Sequence, residues 1–142
     1  MNYLLDTNTI SELYKSNCDK NVKSLMDSIN WKYVYISAIT VGELCYGIER
    51  LPNSKKKHEL SIWLYSQLPI SFNNRIITLD SDVFIEWGRL RARTKRTLPF
   101  YDSIIAAIAL THNLTLVTRN TKDYEDIDNL NLINPWDFSI SN

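Results

Sequence analysis

Short apolar runs alternate along the whole chain with longer stretches of helical periodicity. Tyr3, Leu4 and Leu5 form the first run, a short buried strand by pattern, and Asp6, Thr7 and Asn8 follow where that strand should stop. Ile10, Leu13 and Tyr14 then recur at helical spacing over 9–15, and a polar loop over 16–20 leads to a second helix over 22–29. The aromatic and β-branched segment 33–37 predicts a second strand. Thr40 is expected to cap the helix after it, whose apolar stripe is Val41, Leu44, Cys45 and Ile48 and from which Glu43 points away. Ser54 is the expected cap of a helix carrying Leu60, Trp63, Leu64 and Leu68 on one face, with Pro69 as its stop. A third strand over 75–79 and a turn at Asp80-Ser81-Asp82 precede a helix over 83–93. That helix buries Val83, Trp87 and Leu90, while Arg89, Arg93 and Arg96 share another face. The stretch 101–111 is apolar all the way round except for Asp102, as in a helix covered on most sides. A fourth strand over 114–117, a helical turn over 121–124 and a last strand over 130–133 complete the chain.

This alternation predicts an α/β fold: a three-layer sandwich with a short, mostly parallel central sheet flanked by helices, formed by one domain over 1–142. Such sheets gather the C-terminal ends of their strands on one edge, where ligands bind. Asp6 and the segment 118–120 should share that edge, with Asp102 feeding the same region from the start of the buried helix.

Composition narrows the class of partner. The 142 residues suffice for one core, since a domain of roughly 150 residues buries about 70% of the surface its unfolded chain exposes. No apolar run approaches the ~18 residues of a membrane span and no secretory leader pattern opens the chain, so a cytoplasmic protein without a membrane partner is expected. Cys18 and Cys45 are too few for a disulfide framework or a CxxC metal site. Sixteen Lys plus Arg balance sixteen Asp plus Glu, which leaves no global positive field for nucleic acid. A phosphate partner would need a local patch or a metal.

The acids have ordinary readings when taken singly. Asp6 fits a turn former or a helix cap, Asp102 a first-turn carboxylate favoured by the helix dipole, Glu43 a solvated side chain, and Asp80 and Asp123 turn residues. Carboxylates that converge, however, repel one another unless a cation neutralises them. An all-oxygen site of this kind suits Mg²⁺ or Mn²⁺, whereas His58 and His112 stand apart and give no zinc pattern.

Four ordered segments carry a resemblance: Leu4-Leu5-Asp6-Thr7-Asn8; Ile36 to Leu44 with Tyr46-Gly47; Asp102-Ser103-Ile104-Ile105-Ala106-Ala107; and Val117-Thr118-Arg119-Asn120 with Lys122-Asp123-Tyr124. Together, and with the closing Asn134-Pro135-Trp136, they resemble a PIN domain, more narrowly the VapC/FitB-like toxins of bacterial type II toxin–antitoxin pairs. The resemblance implies a metal-dependent endoribonuclease that cuts RNA, tRNA or rRNA, with Asp6, Glu43 and Asp102 as catalytic and metal-binding carboxylates. Where the family commonly has a fourth acid this chain has Asn120, which keeps a carbonyl ligand but loses a charge; Asp123 is the alternative fourth acid. Thr7, Asn8, Ser37 and Thr118 look like the family's polar support for the carboxylates and bound water. The resemblance also implies a cognate VapB-like antitoxin and a homodimer. Arg89, Arg93 and Arg96, and the lysines over 55–57, are candidates for gripping RNA phosphates, against the simpler reading that Glu86 pairs with Arg89. Two other functions stay open from the residues: a phosphoryl-transfer domain with Asp6 as nucleophile, and a degenerate domain that binds RNA or an antitoxin without cutting.

Overall fold

The computed structural model describes residues 1–139. Five parallel strands, β1 (Asn2–Leu5), β2 (Val34–Ser37), β3 (Ile76–Ile77), β4 (Leu114–Val117) and β5 (Leu132–Ile133), form one sheet in the order β3-β2-β1-β4-β5. The helices are α1 (Thr7–Tyr14), α2 (Lys20–Ser28), α3 (Ala38–Glu49), α4 (Lys55–Ile62), α5 (Leu68–Ser71), α6 (Ser81–Arg93) and α7 (Phe100–Thr111). Successive strand residues face opposite sides of a sheet. Leu4 and Leu116 accordingly enter a core with Ile104, Ile108, Val83 and Leu90 of α6 and α7, whereas Leu5 and Val117 enter a second core with Ile10, Leu25, Leu44 and Ile48. These two cores on either side of one parallel sheet are the three-layer sandwich expected from the pattern. Among the described residues no helix is long and apolar enough to cross a membrane.

The local differences from the pattern concern helix ends. The first helix starts at Thr7 because Asp6 caps it. The cap of α3 is Ser37, not Thr40: its hydroxyl accepts the Thr40 N–H at 3.2 Å, so the strand's last residue already starts the helix. Pro69 does not stop the helix before it. A π turn over Trp63–Gln67 widens the backbone, Leu68 N–H bonds the Trp63 carbonyl, and the chain runs on as α5 to Ser71. Widening the turn accommodates the proline, which lacks the N–H of a regular turn and would crowd the carbonyl four residues back. The outer strands are also shorter than their apolar runs, since each pairs on one side only.

Candidate active site

Parallel pairing of Leu5 with Val117 brings the ends of the two central strands level, and Asp6 N–H extends the ladder to the Val117 carbonyl at 3.1 Å. The Asp6 side chain, 9% exposed, turns inward from that point. One carboxylate oxygen accepts the Thr9 N–H at 2.8 Å and the other accepts the Thr118 hydroxyl at 2.6 Å. Thr9, fully buried, fixes the same corner by donating its hydroxyl to the Val117 carbonyl at 3.1 Å. Asp6 therefore is the helix cap of its simpler reading and also the acid at the sheet edge.

Glu43 sits half-buried on α3, opposite the start of α1, and its carboxylate accepts the Thr7 hydroxyl at 2.5 Å. The Thr7 hydroxyl lies 3.3 Å from that of Thr40, which is 3.4 Å from Ser37 Oγ; Ser37 and Thr40 are fully buried. A chain of hydroxyls thus leads from the end of β2 to Glu43 and fixes one of its oxygens.

Asp102 arrives from the other side, in the first turn of α7. Trp87 of α6 steadies that turn, donating its indole N–H to Ser103 Oγ at 2.8 Å while Ser103 donates to the Phe100 carbonyl at 2.7 Å. Burial pushes the Asp102 carboxyl above the usual carboxylate range, and the charges of Asp123 and Asp6 push it further. The buried Tyr124 opposes this by donating its hydroxyl to Asp102 at 3.3 Å. Burial and the Asp102 and Asp6 charges raise the Tyr124 phenol in turn, so it stays a donor.

The remaining polar candidates are more open. Asn120 and Asn8 are exposed; Asn120 N–H donates to Thr118 Oγ1 at 3.1 Å, so its backbone supports the hydroxyl that holds Asp6. Asp123 is exposed too, yet near enough for its charge to act on Asp102. The three arginines do not form one free face. Arg93 donates to Glu86 at 2.8 Å and Arg89 lies 3.9 Å from the same carboxylate. Arg96 grips both oxygens of Asp126 at 2.7 and 2.9 Å and also bonds the Asp123 carbonyl at 2.5 Å. Arg96 thereby pins the loop that presents Tyr124 and Asp123 to Asp102.

Tyr124, Thr9 and Thr40 escaped the sequence reading as site residues. Tyr124 had a signal, being an aromatic residue inside a polar strand-end segment. The two threonines had only their spacing from Asp6 and Ser37.

Asp6, Glu43 and Asp102 thus approach one sheet edge from β1, α3 and α7. Among the described residues, no three acid, Cys or His side chains are close enough to enclose an ion unaided. The donor set is nevertheless all oxygen, with Asp123 and Asp6 near enough for their charges to act on Asp102, which fits a hard divalent ion that keeps several waters. Two concavities meet at this edge and share Thr7 and Glu43 as wall residues. One, about 750 Å³, runs between α1, α3 and α4 past Tyr14, Leu60 and Trp63. The other, about 620 Å³, is lined by Ile39, Gly42, Tyr46 and Tyr101 besides the shared pair.

The fold is that of an α/β domain with a parallel sheet between two helical layers, with Asp6 at the end of its central strand. A family model described as the PIN domain matches residues 3–130, and the chain belongs to the PIN domain family. It is 37% identical over 136 residues to Toxin FitB of Neisseria gonorrhoeae, covering 94% of this chain and 97% of that protein. To VapC ribonuclease Y4jK of Sinorhizobium fredii it is 33% identical over 137 residues, covering 94% and 97%. The crystal structure of FitAcB from Neisseria gonorrhoeae superposes with a TM-score of 0.88 at 36% identity, covering 96% of this chain and 99% of that one. A toxin–antitoxin complex from Klebsiella pneumoniae superposes at 0.68 with 28% identity, covering 94% and 97%.

Proposed function

We propose that the chain is a metal-dependent endoribonuclease and the toxin of a bacterial toxin–antitoxin pair, hydrolysing phosphodiester bonds in an RNA such as a tRNA or rRNA. The observation that carries this reading is that the Asp102 carboxyl, raised by burial, also feels the charges of Asp123 and Asp6, while Glu43 accepts the hydroxyl of Thr7, the residue after Asp6. Acids arranged in this way are poised for a cation. The names of the relatives, a toxin and a ribonuclease, support the same reading.

Asp6, Glu43 and Asp102 would hold Mg²⁺ or Mn²⁺, with Asn120 or Asp123 as a further oxygen donor. When bound, the ion supplies charge neutralisation of the phosphodiester and an activated water. The protein's share is preorganisation. Thr118 and the Thr9 N–H fix both oxygens of Asp6, Thr7 fixes one oxygen of Glu43, and Tyr124 orients Asp102. An antitoxin segment lying in the 750 Å³ groove would reach Glu43 with a basic side chain, because Thr7 and Glu43 line the groove. The test is cleavage of total tRNA and rRNA by purified protein. Cutting should require Mg²⁺ or Mn²⁺, stop in EDTA and be absent from the Asp6→Asn variant; cutting undiminished in EDTA or in that variant would refute the reading.

A further inference from the structure

Asp102 sits inside a closed bracket of chain. The loop that carries Arg96 leads from α6 through buried Leu98 into the first turn of α7 and Asp102. From the other side, the turn after β4 brings buried Tyr124, whose hydroxyl donates to Asp102 at 3.3 Å. Arg96 closes the bracket. Its guanidinium donates to both Asp126 oxygens at 2.7 and 2.9 Å and to the Asp123 carbonyl at 2.5 Å, so it grips the chain on either side of Tyr124. The backbone bonds within 121–127 are short turns: Tyr124 N–H donates to the Thr121 carbonyl and Ile127 N–H to the Tyr124 carbonyl, each at 3.0 Å. Among the described residues, the hydrogen bonds that tie this segment to distant parts of the chain are the three from Arg96 and the one from Tyr124. Tyr124 and Ile127 bury their side chains in the core beside α6 and α7. Apolar burial is non-directional, so it holds the ring without setting the reach of its hydroxyl.

The ion pair itself is a poor source of stability. The Arg96 and Asp126 side chains are 41% and 50% exposed, and exposed pairs contribute little. A fork on a carboxylate with a further bond to a backbone carbonyl fixes position instead, and the planar guanidinium of arginine is the side chain that supplies it. We infer that Arg96 is a positioning residue for Asp102 that acts through Tyr124: its clamp on Asp123 and Asp126 sets where the phenol meets the carboxylate. This role takes the place of the phosphate contact expected of Arg96, because its donors are engaged within the chain. Its functional meaning rests on the ribonuclease reading, in which Asp102 holds the cation. The Arg96 charge also acts on Asp102, favouring the ionised form. Arg96→Lys separates the two effects, since it keeps the charge and loses the fork.

The test is the carboxyl carbon resonance of Asp102, followed by NMR in metal-free, aspartate-labelled protein and assigned by its absence from Asp102→Asn. Tyr124→Phe marks its position without the phenol. Arg96→Lys and Asp126→Asn should each move the wild-type resonance at least halfway to that mark, although the first keeps a positive charge and the second removes a negative one. Both should also bind Mn²⁺ more weakly than wild type, by about 10-fold, the loss typical of a missing outer partner of a metal ligand. Arg96→Gln should weaken Mn²⁺ binding as well, whereas charge alone would strengthen it by removing a repelling cation. A smaller movement of the resonance in folded Arg96→Lys, or wild-type Mn²⁺ affinity in that variant, would overturn the proposal. If Arg96→Lys fails to fold, Asp126→Asn decides by the same two readouts. A resonance that moves as expected in a protein that binds no Mn²⁺ and cuts no RNA would keep the clamp and refute the ribonuclease reading. Metal-dependent cleavage with an unmoved resonance would do the reverse.

Discussion

The two corners of the acid edge hold their carboxylates in opposite ways. At the β1–α1 corner Asp6 is nearly buried, and both of its oxygens are held by donors, one by the Thr9 N–H and the other by the Thr118 hydroxyl, as it caps α1. At the α7 corner Asp102 has, among the described residues, one long hydrogen bond from Tyr124, while burial and the charges of Asp123 and Asp6 oppose its ionisation. The first carboxylate is built into the fold; the second is left short of donors. A cation would relieve the second corner most, so folding and function are coupled at Asp6 and opposed at Asp102.

The largest effects should come from breaking the first corner. Asp6→Ala removes the cap and the buried acceptor together and should cost about 1–2 kcal/mol of stability by chemical denaturation. It should also lower RNA cleavage by about 10²–10³-fold. Asp6→Asn keeps an acceptor for the Thr9 N–H, so it should lose the cleavage but less of the stability.

Next in size is the opposite response at the second corner. Asp102→Asn should lose cleavage as fully, yet raise the Tm of metal-free protein by roughly 2 °C at neutral pH. The sign follows from the raised carboxyl of Asp102. Its contribution to stability is fully present below the ordinary carboxylate pKa and is lost as pH rises through the raised, folded-state value. Thermal scans over a pH series should therefore show the wild-type Tm falling relative to Asp102→Asn across that window, and Mg²⁺ or Mn²⁺ should raise the Tm of wild type alone. Smaller still, Tyr124→Phe should cost about 0.5–1.5 kcal/mol by removing one hydrogen bond to a carboxylate. Arg96→Met should leave global stability nearly unchanged and speed amide hydrogen exchange over 123–126, the loop that Arg96 pins.

The same contrast explains what the sequence discloses. Strand–helix alternation, the fully apolar α7 and the acids at strand ends are periodic or positional signals, so sheet, layers and the edge can be read directly. The Asp6 corner is mostly local: its cap partner Thr9 lies three residues away, although Thr118 is distant in sequence. The Asp102 corner depends on side chains that no pattern pairs. Arg96 looks like one of three helix-face arginines until Asp126, thirty residues on, claims its guanidinium. Tyr124 looks like a loop aromatic until the 3₁₀ turn over Thr121–Asp123 swings it inward. The two strong helix signals that misled, Thr40 as cap and Pro69 as stop, were overridden by a better-placed Ser37 and by a π turn.

Titration of metal-free protein with Mn²⁺, following free ion by electron paramagnetic resonance, tests whether these opposed corners form one cation site. The wild-type protein should bind Mn²⁺, and Asp102→Asn should bind it at least about 10-fold more weakly while remaining folded. Equal binding by both proteins, or none by either, would contradict the account.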